Sequence, residues 1–127
     1  MALIHGMPMI GHCYHRVRLC DSLDDTFVAT CDQEIYDYIE SIGGKAIMTA
    51  DTHERASDRV AEAMVEIEKI KGEKVDILVM VQGDEPMDTP EMITEALTPM
   101  ERDEAVQVVN LMGRIDSEEE FDDANVV

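Results

Sequence analysis

The stretch Gln82-Gly83-Asp84-Glu85-Pro86 sets two adjacent carboxylates between a glycine and a proline, directly after the apolar run from Ile77 to Val81. An apolar run that stops at a charged, glycine-containing loop reads as a buried strand delivering that loop to the rim of a parallel sheet. In open α/β sheets, ligands bind in the crevice at the carboxyl ends of the strands. Two acids placed there suit a hard divalent cation and the phosphates it carries. Asp84 is the first candidate ligand; Glu85 either assists or points away. The competing reading is a polar turn after a core strand, with Asp84 as a turn or cap residue.

Other residues with chemical potential carry weaker patterns. His53 and the pair Ser57-Asp58 bring a base and a hydroxyl into one stretch. The serine lacks the G-x-S-x-G elbow that exposes a nucleophile, and its spacing is ordinary for a helix start. Arg59 has the planar fork that suits phosphate or carboxylate. Asp58 and Glu62 are close enough in sequence to pair with it on a helix face instead. His12 and His15 sit beside Arg16 and Arg18, which oppose a metal and favour a surface or packing role. Cys13, Cys20 and Cys31 are odd in number and lack metal-type spacing. We expect them to be reduced thiols, Cys31 standing nearest a strand end. No G-x-G-x-x-G, no G-x-x-x-x-G-K-[ST] and no H-E-x-x-H is present, which disfavours dinucleotide oxidoreductases, P-loop enzymes and zincins.

The elements that must position these residues alternate. His5-Gly6 signals a turn, and Pro8 can open a helix running to about Leu19, with Met9, Ile10, Cys13 and Val17 at helical spacing. Thr26–Thr30 reads as a strand. Asp32 caps the helix that follows, whose buried stripe is Ile35, Tyr36, Ile39 and Ile42 and whose end is Gly43-Gly44. Lys45–Met48 returns as a strand. A helix from Ala56 or Ser57 buries Val60, Met64, Ile67 and Ile70. Asp76–Val81 is the expected central buried strand. Thr89-Pro90 starts a helix with Ile93, Ala96, Leu97 and Met100 on one face. Ala105–Met112 is a further strand candidate and Asp116–Phe121 a short helix. Strand and helix in alternation predict an α/β fold, a parallel-rich sheet with helices on both faces.

Composition bounds the rest. A chain of 127 residues is one domain. Apolar residues make up 45% and aromatics 4%, with ten methionines, so the core is aliphatic and adaptable. Asp and Glu number 29 against 10 Lys and Arg, a formal net charge of −19. Such a surface lacks the cations that neutralise nucleic-acid phosphates. Much of the acidity lies in Glu101–Glu104 and Asp116–Asp123, as solvated faces or loops. No apolar run is long enough to span a membrane, and the amino end shows no secretory signal, so a cytoplasmic protein is expected.

Four stretches carry a resemblance. Gln82-Gly83-Asp84-Glu85-Pro86 resembles the strand-end motif of the CMP-KDO synthetases, the 3-deoxy-manno-octulosonate cytidylyltransferases. Ile4-His5-Gly6-Met7-Pro8-Met9-Ile10 is similar to that family's I-x-G-K-P-M-I. Val28-Ala29-Thr30-Cys31-Asp32 is similar to V-A-T-D, with Cys31 as a local departure. His53 to Arg59 is similar to H-x-S-G-T-[DE]-R, with Arg55 and Ala56 in place of the serine and glycine.

The resemblance implies a Rossmann-like three-layer sandwich of the nucleotide-diphospho-sugar transferase type, here incomplete, with residues 1–127 as a partial nucleotidyltransferase domain. It implies transfer of CMP from CTP to 3-deoxy-manno-octulosonate with release of pyrophosphate. Asp84 would hold Mg²⁺; Gln82 would lie near the sugar acid; Ser57 and Arg59 would lie on the nucleotide side. For Gln82, a buried amide satisfying loop backbone is the alternative. The family's basic loop, P-A-R-x-x-S-x-R-L-P-G-K-P, would stand before Met1, and its later half after Val127. We therefore expect a fragment of an enzyme that is a homodimer at full length. A different acid-sugar nucleotidyltransferase, or a truncated chain without catalysis, is the other reading.

Overall fold

Leu3–Ile4 (β1) and Met7–Pro8 (β2) pair antiparallel, Leu3 opposite Pro8 and Ile4 opposite Met7, in a computed structural model that describes residues 1–114. His5 (φ 49°) and Gly6 (φ 84°) form the turn between them. Both values are positive, as a tight two-residue hairpin turn requires, and glycine meets that need without strain. The helix α1 follows at once, Met9–Val17, with Pro8 outside it at φ −54° and ψ 139°. It is shorter than the sequence suggested. Leu19 N–H and Cys20 N–H turn back to the carbonyls of Arg16 and Val17 in tighter i→i−3 bonds that close the helix early.

A β-α-β unit comes next: Val28–Thr30 (β3), Gln33–Ser41 (α2) and Ala46–Met48 (β4). The strands are parallel, with Val28, Ala29 and Thr30 beside Ala46, Ile47 and Met48. Asp32 caps α2 as anticipated, its Oδ1 accepting from Glu34 N–H at 2.8 Å. The helix ends at Gly43-Gly44. A Cβ on Gly44 would stand 2.7 Å from Ile39 Cγ2 and 2.9 Å from the Ile39 carbonyl, so the turn to β4 needs a residue without one. Ile39 is fully buried and packs with Tyr14 and Ala46; Ile10, Val28, Ile35 and Ile42 close around them. Successive strand residues face opposite ways. Ala46 faces that cluster, so Ile47, also buried, faces away from it. The outer edge of β4 is blunted by Glu40, whose carboxylate accepts from Ala46 N–H at 3.1 Å.

The helix α3, Ala56–Lys71, packs on β3 and β4 and ends at Gly72, whose N–H reaches Glu68 C=O at 2.8 Å. Pro90–Arg102 forms α4. Thr89 Oγ1 accepts from Met92 N–H at 3.4 Å, the expected cap, and Ile93 and Leu97 are buried as their spacing requires. The chain divides into two compact units, Met1–Thr94 and Glu95–Val127.

Two expected strands are not formed. Residues 76–81 and 105–112 join no ladder among the described residues. In 77–81 burial alternates: Ile77, Val79 and Val81 are half-buried, while Leu78 and Met80 are 44% and 46% exposed. An apolar run on both faces is compatible with a central strand. A ladder, however, needs backbone partners from elsewhere in the chain, and among the described residues no segment pairs with 77–81. The expected helix at 116–121 lies outside the described residues.

Candidate functional site

The loop after residue 81 is held by α1. Cys13 Sγ donates to Gly83 C=O at 3.2 Å. The thiol thus holds the backbone immediately before Asp84. Ile10 Cδ1 abuts Gly83, and Arg16 Nη1 donates to Asp88 C=O at 3.2 Å. Ile10, Cys13 and Arg16 recur every three residues, so one face of α1 cradles residues 83–88. Burial pushes the Cys13 pKa up; the Glu85 N–H opposes this, and the carboxylates of Asp88 and Asp84 add to the rise. The group therefore stays a neutral donor at physiological pH.

Asp84 itself is exposed, and its carboxylate makes no hydrogen bond or ion pair among the described residues. The turn is closed by backbone instead, Glu85 N–H to Gln82 C=O at 3.3 Å. Asp32 and Asp103, by contrast, spend their carboxylates on backbone N–H groups. Gln82 and Glu85 are exposed too, so Gln82 is not the buried amide its alternative reading required. Among the described residues no three His, Cys, Asp or Glu gather as a ready-made metal cage.

The second candidate stretch follows β4. Thr49 N–H continues the ladder to Thr30 C=O at 2.9 Å, so the loop over residues 50–55 leaves the carboxyl end of the parallel pair. Cys31, exposed, and the capping Asp32 leave β3 at that same end. Arg59 Nη1 donates to Thr49 Oγ1 at 2.5 Å and to Ala50 C=O at 3.2 Å. Glu62 accepts Ala50 N–H on both oxygens, at 3.2 and 3.1 Å, and also meets His53 Nε2. His53 and the Ala50 N–H hold the Glu62 pKa below the ordinary glutamate value, with a smaller contribution from the Arg59 charge. Arg59 therefore organises the loop rather than pairing with Asp58 or Glu62. Ser57 is exposed in the first turn of α3, and Arg55 supplies no side-chain cap there. The first N–H groups of α3 are thereby left to solvent or ligand.

Gln82 and Asp84 thus share one loop, and Ser57 and Arg59 one helix start. No hydrogen bond or ion pair joins the two groups among the described residues. Cys13, Thr49 and Glu62 organise the loops, and sequence reading gave none of them that part. Only Glu62 left a signal, three residues from Arg59 on one helix face.

A family model described as cytidylyltransferase matches residues 1–127. The chain belongs to the cytidylyltransferase family. Among proteins similar to it, a 3-deoxy-manno-octulosonate cytidylyltransferase of Geobacter metallireducens is 38% identical over 127 residues, 100% of this chain and 48% of that protein. The same-named protein of Syntrophus aciditrophicus is 40% identical over 100% of this chain and 50% of its own. A solved structure of CMP:2-keto-3-deoxy-manno-octonic acid synthetase complexed with CTP matches with a TM-score of 0.75 at 37% identity, covering 83% of this chain and 41% of that one. The chain spans about half the length of the curated relatives it matches. Its fold is accordingly α/β, of the nucleotide-diphospho-sugar transferase type, matched in part. No helix among the described residues is long and apolar enough to cross a membrane.

Proposed function

We propose that this chain carries part of the active site of an enzyme that moves CMP from CTP to 3-deoxy-manno-octulosonate and releases pyrophosphate. The observation that carries the reading is the match along all 127 residues to proteins of that name. The exposed Asp84 loop supports it. In this reading the sugar's anomeric hydroxyl attacks the α-phosphate in line. No protein nucleophile is needed; positioning and charge stabilisation supply the rate. Gln82 lies with the sugar acid, and Ser57 and Arg59 with the nucleotide.

Asp84 is the residue that would hold Mg²⁺. The donor set fits, since Mg²⁺ is commonly bound by one or two carboxylates, with phosphate and water supplying the other oxygens. An exposed carboxylate with no cation of its own is free for that share. When bound, the ion neutralises charge as pyrophosphate leaves. The enzyme would act in the cytoplasm as a homodimer, apart from nucleic acid and membrane, in the synthesis of lipopolysaccharide or a related surface glycan.

The test is pyrophosphate release from CTP, Mg²⁺ and 3-deoxy-manno-octulosonate by a chain of the relatives' full length that contains these residues. Turnover with this sugar, lost in Asp84→Asn, is the expected result. Turnover with a different acid sugar alone would replace the substrate and keep the reaction. No pyrophosphate with any acid sugar would overturn the proposal.

A further inference from the structure

The loop between β4 and α3 is secured from a single helix face. Its flanking backbone bonds are Thr49 N–H to Thr30 C=O and Arg59 N–H to Arg55 C=O. Between them, its ties to α3 are made by side chains. Ala50 has both polar backbone groups taken in this way, its C=O by Arg59 and its N–H by Glu62. The same Glu62 carboxylate also meets His53. One side chain therefore ties two loop positions, three residues apart, to the body of α3. A carboxylate accepting backbone N–H bonds makes charge-assisted bonds, stronger than neutral ones.

The remaining acids of the stretch do not share this part. Asp51, Glu54 and Asp58 are exposed and make no hydrogen bond to the loop backbone among the described residues. Glu66, one turn further along α3, pairs with Lys69 and makes no hydrogen bond to the loop among the described residues. Glu62 is set apart by geometry rather than by charge.

We propose that Glu62 is a positioning residue: by holding Ala50 and His53 it sets the course of the 50–55 loop, and so the presentation of Ser57 and the open start of α3 to the nucleotide. The inference rests on the reading that His53–Arg59 lies on the nucleotide side. It adds a residue outside the motif stretch, acting through backbone and imidazole rather than on the ligand.

Two measurements on the 127-residue chain test it, with Glu62→Ala, Glu62→Gln and, as a control, Glu66→Ala, at a temperature where all are folded. The first is amide exchange at Ala50. Glu62→Ala is expected to speed it about tenfold or more, Glu62→Gln less because an oxygen acceptor remains, and Glu66→Ala not at all. The second is Mg²⁺-dependent CTP affinity by calorimetry, expected to fall about tenfold in Glu62→Ala, in the same order across the variants. Unchanged Ala50 exchange would overturn the latch. Faster exchange with CTP affinity equal to wild type, while Asp84→Asn still weakens binding, would overturn this inference and leave the proposed function standing. No CTP binding by the wild-type chain would overturn this inference for the chain, while the proposed function is decided separately by pyrophosphate release at the relatives' full length.

Discussion

Individually weak contacts hold the two candidate loops in place. A thiol is a poor donor, yet Cys13 reaches Gly83 C=O, so its removal frees the carbonyl just before Asp84 and loosens the turn that Glu85 N–H closes onto Gln82 C=O. Cys13→Ala is expected to cost about 1–3 kcal/mol in urea unfolding, from lost packing and the loosened carbonyl, and to speed amide exchange at Glu85. Unchanged exchange at Glu85 would contradict this account of the loop. Glu62 makes a pH prediction. Its pKa in the folded state lies below the ordinary glutamate value of 4.5, so the unfolded chain binds more protons in that range. The stability it contributes is fully present above about pH 4.5 and is lost as pH falls through the lowered value. The difference in thermal midpoint between wild type and Glu62→Ala should therefore shrink towards zero at strongly acid pH. A difference that persists there would assign the effect to packing rather than charge. Sequence reading singled out Asp84 and Arg59 from their types and neighbours, which are local facts, whereas Gln82 and Ser57 were named only through the resemblance. It offered Asp58 or Glu62 as Arg59's partner, whereas Thr49 and Ala50 take the guanidinium. Those two lie across a loop that folds back on its own helix, and helix-face spacing does not register such a return.

Among the elements, helices were legible and ladders less so. Asp32 and Thr89 mark helix starts through chemistry within a few residues, and the structure uses each of them as a cap. Residues 77–81 carry the composition of a strand, yet pairing is settled by what lies beside them. The β-α-β unit turns on Ile39, the side chain with no exposure at all. Ile39→Ala is expected to destabilise the chain by about 2–5 kcal/mol in urea unfolding, through lost transfer energy and the cavity between Tyr14 and Ala46. Gly44→Ala should also destabilise, because its Cβ would meet the Ile39 carbonyl, which cannot move aside as a side-chain end could. A Gly44→Ala midpoint equal to wild type would show that this turn is not as tight as it stands.

For the whole molecule, charge balance is the governing term. A formal net charge of −19 on 127 residues opposes compaction. A surface pair such as Lys69–Glu66 contributes about 0–1 kcal/mol and loses part of it in salt. Self-repulsion among 29 acids outweighs such pairs, so screening should help more than it harms. The thermal midpoint is expected to rise between about 0.05 and 1 M KCl, over which the Debye length falls from above 10 Å to about 3 Å. A falling midpoint would mean that the ion pairs dominate. Under the proposed function the acidity has a further consequence, because a triphosphate would approach such a surface only with cations in attendance.

The central claim is that the Asp84 loop is built to share a divalent cation with a nucleotide. The most direct measurement is calorimetric binding of CTP by this chain, with and without Mg²⁺, beside Asp84→Asn. The account predicts binding that requires Mg²⁺ and that Asp84→Asn loses. Binding of equal strength in the variant, or in the absence of Mg²⁺, would contradict it.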